Sequence, residues 1–267
     1  MHYNCAVIGY GDFARDCTIP SLRNTGRFRI KYILVHSEDR AKELNAENNE
    51  KGKTEFVVSY DLILKDPEID CVIIVTRHDK HKEQILAAIR AGKAVFTEKP
   101  MAMNLPDAEL IASEVERSGV KLMVGLNRRF STFALQIKQK LSEIEGPFLI
   151  NYRWINQAWD AVWPFDPVEG GGKLVSSGCH MLDFVMFLLG EPPLSVSAQL
   201  NIMIKKGIKT HDTASVRLDF ANGSTVNICT SELGAASYPQ EKMEIFTQKG
   251  VIVMDNFKTC NNSRMPA

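Results

Sequence analysis

Cys5-Ala6-Val7-Ile8-Gly9-Tyr10-Gly11-Asp12-Phe13-Ala14 is the stretch that decides the fold of this chain. An apolar run ends in two glycines one residue apart, and a helical pattern follows from Asp12 to Asn24, where Pro20 is expected to kink or interrupt it. In a G-x-G-x-x-A turn the first glycine allows a tight reversal and the second lets the backbone approach a pyrophosphate. A small third residue lets helix and strand pack closely. Amide groups at the positive helix N-terminus would then hold the phosphates. Gly9, Gly11, Asp12, Phe13 and Ala14 are therefore candidate dinucleotide-binding residues. Two glycines in a turn are common, so this reading depends on what surrounds them.

Outward from that turn, short apolar runs alternate with amphipathic ones. Strands are expected at Arg29 to Val35, Phe56 to Val58, Cys71 to Val75, Ala94 to Thr97 and Lys121 to Val124. Helical spacing falls between them, at Glu38 to Asn48, Tyr60 to Lys65, His81 to Ala91 and Pro106 to Arg117. The Cys71 to Val75 run is almost wholly apolar, as suits a parallel strand buried on both faces. This alternation predicts a doubly wound parallel sheet. From about residue 125 the rhythm changes. After a helix near Ser131 to Glu143, strands are expected at Phe148 to Ile155, Leu194 to Ile204, Ala214 to Phe220, Ser224 to Thr230 and Lys242 to Phe246. Ala221-Asn222-Gly223 should turn one hairpin, and a helix over Ser177 to Leu189 interrupts the series. The expected architecture is an α/β Rossmann domain over 1–124, followed by an α+β domain with a largely antiparallel sheet over 125–267.

Composition narrows the partners. The 267 residues hold 32 Lys+Arg and 32 Asp+Glu, so the formal charge is zero. Such a chain has no global field to gather nucleic acid or an anionic membrane surface, which favours a small-molecule partner. The N-terminus lacks a basic start with a long apolar segment, and no apolar run nears the ~20 residues that span a bilayer. Six scattered cysteines without a C-x-x-C pair argue against a disulfide framework, and the cytoplasm is the expected compartment. His78 and His81 form an H-x-x-H, but further clustered ligands are missing, so no metal is expected.

The second strand should end in the group that reads the adenosine ribose, a carboxylate for NAD or a basic residue for NADP. Here it ends in Val35-His36-Ser37-Glu38-Asp39-Arg40. Neither Val35 nor His36 is acidic, and His36, Ser37 and Arg40 could contact a 2′-phosphate. The sequence leans toward NADP, with Glu38 and Asp39 read equally well as solvated charges at a helix start.

Glu98-Lys99-Pro100 after the fifth strand, Gly170-Gly171-Gly172-Lys173-Leu174, and Gly178-Cys179-His180-Met181-Leu182-Asp183 complete an ordered set with the glycine turn. The set resembles the Gfo/Idh/MocA family of glucose–fructose oxidoreductase, inositol dehydrogenase and their relatives, over residues 3 to about 255. Thr76-Arg77-His78-Asp79, Gly125-Leu126-Asn127-Arg128-Arg129-Phe130 and Asp166-Pro167 resemble a branch linked to cell-surface sugar metabolism. The resemblance implies that Lys99 lies beside the nicotinamide and the substrate hydroxyl. It implies that Glu98 holds a cofactor ribose, that Thr76, Arg77, His78 and Asn127 line the cofactor, and that Arg128, Ser176 and His180 meet substrate.

The chemistry agrees with that assignment. Hydride removal from a secondary alcohol requires a proton to leave oxygen; an ammonium stabilises the developing anion, and an imidazole can take the proton. His180 and Asp183 are three apart on one helix face, so Asp183 either orients the imidazole or caps local polar groups. Where many relatives carry Asp or Glu shortly before the histidine, this chain has Ser176 and Ser177. Tyr152 and Trp154 share a strand face and are expected to pack in the core or an interface. Trp159 and Trp163 lie in an apparent loop whose rings could stack on a sugar. The tail from Cys260 to Arg264 has no core pattern, so either the substrate domain is shortened or the sequence is incomplete. By resemblance the chain self-associates through its second sheet. A non-catalytic dinucleotide-binding regulator and an NAD-recycling glycosidase are the alternative functions.

Overall fold

The apolar run at the N-terminus becomes strand β1 (Tyr3–Ile8), whose last four residues are buried. In the computed structural model, which describes residues 2–48, 54–155, 162–205, 208–235 and 237–264, the chain forms two compact units, Met1–Gly125 and Leu126–Ala267.

The first unit continues through α1 (Ile19–Asn24), β2 (Phe28–Leu34), α2 (Glu38–Glu47), β3 (Glu55–Val57) and α3 (Tyr60–Lys65). It closes with β4 (Cys71–Ile74), α4 (His78–Arg90), β5 (Ala94–Thr97), α5 (Leu105–Ser118) and β6 (Leu122–Val124). Six parallel strands lie in the order β3-β2-β1-β4-β5-β6. The order reverses between β1 and β4, and in such sheets ligands bind in the crevice at the strand ends there. Local chemistry sets the boundaries: the Ser37, Ser59 and Asn104 side chains each accept a bond from a backbone amide three residues on, capping α2, α3 and α5. β4 is fully enclosed at Val72 and Ile74, and apolar clusters cover the sheet on both faces.

Pro20 does not break its helix. The chain widens one turn earlier, over Ala14–Thr18, where Ile19 N–H reaches the Ala14 carbonyl five residues back. Proline has no N–H to donate, and its ring would clash with a carbonyl four residues behind, so a wide turn just before it removes the conflict.

The second unit holds α6 (Thr132–Ser142), β7 (Leu149–Ile155), α7 (Cys179–Leu189), β8 (Ser195–Lys205) and β9 (Ile208–Asp219). It ends with β10 (Thr225–Ser231), β11 (Glu241–Thr247), β12 (Gly250–Asp255) and β13 (Thr259–Arg264). The sheet order is β13-β12-β11-β7-β10-β9-β8, antiparallel except where β7 and β10 run parallel. The Ala221-Asn222-Gly223 hairpin joins β9 to β10 as expected. Ile150, Tyr152 and Trp154 face inward with α6 and α7 residues such as Ile137, Phe184 and Leu188.

Two strands were not expected. In β12 burial alternates, with Gly250, Ile252 and Met254 inward and Val251 and Val253 half-exposed. Both faces carry apolar residues there, so no period of two shows in the sequence. β13 is polar and pairs only with β12, as a blunted sheet edge should. The tail from Cys260 to Arg264 is thus part of the sheet, and Cys260 packs against the core. Among the described residues no helix is long and apolar enough to cross a membrane.

Candidate functional site

In the first unit the glycine turn sits where β1 and β4 diverge. Gly9 has φ +105°, a conformation that side chains rarely adopt, and a Cβ there would lie 3.1 Å from both Thr76 Cγ2 and the Val75 carbonyl oxygen. Glycine therefore permits both the turn and the close approach to β4. At Gly11 an added Cβ would meet no atom within 4 Å, so the backbone there faces open space. Arg15 N–H donates to the Gly11 carbonyl at 3.0 Å, beginning the helix behind that opening. Ala14 is buried against the sheet, whereas Asp12 and Phe13 are exposed and the Asp12 carboxylate pairs with Arg15. Bare backbone, open space and a helix start together fit a pyrophosphate.

At the end of β2, Val35 points into the core and His36 is exposed. The Ser37 hydroxyl caps α2 by accepting from Arg40 N–H at 3.3 Å, and Arg40 pairs with Glu43 at 2.5 Å. Glu38 and Asp39 stand exposed in the first turn of α2, where acidic side chains complement the helix dipole.

Thr76 and Arg77 follow β4, and His78 opens α4 with its side chain buried. Glu98 and Lys99 follow β5, the next strand along, and Glu98 N–H continues the ladder to the Ile74 carbonyl at 2.8 Å. The sheet thereby gathers Gly9, Thr76, Glu98 and Lys99 along one edge. Glu98 packs against Gly125, whose added Cβ would sit 2.9 Å from Glu98 Oε1. Burial raises the Glu98 pKa above the usual carboxylate value, with Lys99 opposing the shift. The Lys99–Pro100 peptide is cis.

In the second unit a single indole organises the candidates. Trp154, at the end of β7, has the Arg128 guanidinium 4.3 Å and the Lys173 ammonium 5.1 Å from its ring centroid. The His180 ring lies 6.0 Å away, inclined at 51°. Arg128 Nε donates to Glu241 at 3.1 Å, and Tyr152 O–H donates to the same carboxylate at 2.6 Å. Arg128 is therefore built into the wall of this cluster by Glu241 and Trp154. Lys173 is almost wholly buried and pairs with the equally buried Glu232. Leu174–Gly178 form a wide turn leading into α7, which places Lys173, Ser176 and His180 three and four residues apart, all buried.

Asp183 shares the His180 face of α7, but its oxygens receive the Arg129 guanidinium, with Nε donating at 2.9 Å. The observed partner is a cation from the segment before α6. Asn127 lies exposed in that same segment, a short turn over Asn127–Phe130. Trp163 is half-buried in a turn over Trp163–Phe165, and Gly170 packs so tightly on it that a Cβ would fall 2.3 Å from the Trp163 carbonyl. Trp159 lies outside the described residues. Among the described residues no group of three His, Cys, Asp or Glu side chains is placed to hold a metal ion.

Sequence reasoning passed over Glu232 and Glu241, read His81 only as half of an H-x-x-H, and read Lys173 only as part of a motif. Glu232 and Glu241 gave no short-range signal, because their partners lie 59 and 113 residues away.

Comparison with known proteins follows this division. Residues 3–126 match the oxidoreductase family model described as an NAD-binding Rossmann fold, and residues 147–253 match the GFO/IDH/MocA C-terminal domain. The chain is 31% identical over 209 residues to the inositol 2-dehydrogenase of Rhizobium meliloti, covering 75% of this chain and 61% of that protein. It is 30% identical over 258 residues to the oxidoreductase YrbE of Bacillus subtilis, covering 94% and 73% respectively. Among solved structures, the WlbA dehydrogenase of Bordetella pertussis, in complex with NADH and UDP-GlcNAcA, superposes with a TM-score of 0.86 at 20% identity. That superposition covers 100% of this chain and 84% of WlbA. The chain spans about three fifths of the length of the first curated relatives it matches.

Proposed function

Since the chain belongs to the GFO/IDH/MocA oxidoreductase family, we propose that it transfers hydride between a nicotinamide dinucleotide and a hydroxyl or keto carbon of a sugar, sugar nucleotide or cyclic polyol. The observation that carries this reading is the edge of the first sheet. There the open backbone at Gly11 follows β1, and Glu98 and Lys99 follow β5 two strands away. The substrate class rests on relatives named for inositol and on the WlbA complex with a nucleotide sugar.

A bound dinucleotide supplies or accepts the hydride. Within the chain, Gly9 to Ala14 give the phosphates backbone amides, Glu98 accepts from a ribose hydroxyl, and Thr76, Arg77, His78 and Asn127 line the cofactor. Lys99 places an ammonium near the reacting oxygen and stabilises its anionic character. His180 takes or returns the hydroxyl proton as the general base or acid of the step. Trp163 and Ser176 border the substrate. The absence of a carboxylate at Val35 or His36 favours NADP, with His36 and Arg40 as the 2′-phosphate contacts. Self-association runs through the outer face of the second sheet, where Leu149 and Phe246, neighbours across β7 and β11, stand exposed. Free cysteines and a neutral charge suit a reducing compartment such as the cytoplasm.

Titration with NADH and NADPH, followed by nicotinamide fluorescence, tests the first half of this reading; binding of neither would refute it. Lys99→Ala should abolish turnover on any sugar or polyol accepted by the parent protein while leaving dinucleotide affinity largely intact. Undiminished turnover would remove Lys99 from the chemistry.

A further inference from the structure

One imidazole lies between two loops of the first unit. His81 lies on α4 with no exposed surface. Its Nδ1 is 2.8 Å from the Pro100 carbonyl oxygen, and its Nε2 is 3.1 Å from the Thr76 carbonyl oxygen. Pro100 is the residue after Lys99, and Thr76 is the residue that touches the glycine turn. One helical turn further on, Gln84 Oε1 accepts from Thr76 Oγ1 at 2.6 Å. The Gln84 carbonyl in turn accepts from Tyr60 O–H at 2.9 Å. The same face of α4 thus holds Thr76 through the Gln84 side chain and Pro100 through the His81 ring.

We propose that His81 is a positioning residue, a strut that braces the Glu98-Lys99-Pro100 turn against α4, whose Gln84 holds the Thr76 loop, and thereby sets the Lys99 ammonium relative to the dinucleotide edge of the sheet. This rests on the hydride-transfer reading for its purpose, but its geometry stands apart from it. An apolar side chain could fill the same volume, yet it would take the donor from the Pro100 carbonyl inside a buried contact. A neutral imidazole has one N–H and donates to one carbonyl at a time. The shorter contact assigns that proton to Nδ1, so the bond to Pro100 is the standing one. The charged and titratable groups around the ring are Lys99 on the turn, Asp79 on its own helix and His78, whose ring centroid is 5.8 Å away. Burial keeps the imidazole neutral more strongly than usual, with Lys99 adding to that effect.

Two substitutions separate the two contacts. Asparagine can place an amide N–H near the Nδ1 position, and glutamine can place one near Nε2. His81→Asn should leave Lys99 acylation by an amine-reactive reagent, located by mass spectrometry, at the parent rate, with kcat unchanged. His81→Gln should change both by about three- to tenfold, the worth of one neutral hydrogen bond, with dinucleotide Kd unaltered. Identical effects of the two substitutions on Lys99 labelling, or none from either, would overturn the strut. If the parent protein transfers no hydride, the functional reading falls while the labelling comparison still decides the strut. Nitrogen-15 spectra of the parent protein decide it without any variant: a ring protonated at Nδ1 supports the bond to Pro100, and a ring protonated only at Nε2 refutes it.

Discussion

At the scale of single residues, the first unit collects its candidates because each follows a parallel strand, and strand ends in such a sheet share one edge. Glu98 shows how that position alters chemistry. Its carboxyl is enclosed beside Gly125, and burial raises its pKa in spite of Lys99. A carboxyl with a raised folded-state pKa is disfavoured when ionised, so the fold gains stability as pH falls through that raised value. The gain is complete below the unfolded value. Glu98→Gln should flatten this segment of the stability profile, measured by urea unfolding at a series of acidic to neutral pH values. A profile identical to the parent's would show that Glu98 contributes nothing to it. His180 and Asp183 teach a different lesson. Helical spacing put them on one face, as the sequence indicated, but Arg129 occupies the Asp183 oxygens. Spacing along a helix fixes which side chains share a face, and it says little about which distant cation arrives there.

At the scale of elements, legibility follows the range of the interaction. The turn at Gly9 and the serine and asparagine caps are local, so their chemistry is written within a few residues. The buried network around Trp154 joins α7, β7, β10 and β11, and no short window contains it. β12 escaped because apolar residues on both faces erased the alternation, and β13 because an edge strand can be polar. The Lys173–Glu232 pair joins the start of the turn before α7 to the end of β10, and both side chains are about 97–98% enclosed. Removing one partner takes this ion pair away from a charge that stays buried. Lys173→Met alone should therefore cost about 3–5 kcal/mol, while Lys173→Met with Glu232→Leu should lie near the parent. Chemical denaturation of both variants tests this, and equal losses would show that the charges do not compensate each other.

At the scale of the whole molecule, each unit encloses a core of its own, and the two sheets were foreseen in kind from the change of rhythm near residue 125. The outer face of the second sheet is a groove of about 810 Å³, lined by polar residues such as Asn151, Arg153, Arg217 and Lys242. On that face the exposed Leu149 and Phe246, neighbours across β7 and β11, supply the hydrophobic contact that self-association needs. Sedimentation should find an oligomer, and Phe246→Glu should shift it toward the monomer with the circular dichroism spectrum unchanged. A monomeric parent protein would remove the sheet face as an interface.

The parallel pairing of β7 with β10 also sets a timetable. β7 is the central strand of its sheet, yet Leu149 pairs with Thr225 on one side and Phe246 on the other. Both partners are synthesised long afterwards, about 76 and 97 residues later, so at roughly 5–20 residues per second β7 waits several seconds on the ribosome with both edges bare. Ile150, Tyr152 and Trp154 give it an apolar face throughout that interval. The nascent chain is thus most exposed to misassociation in mid-synthesis, and α6, already made, is the element available to shelter that face until the later strands arrive.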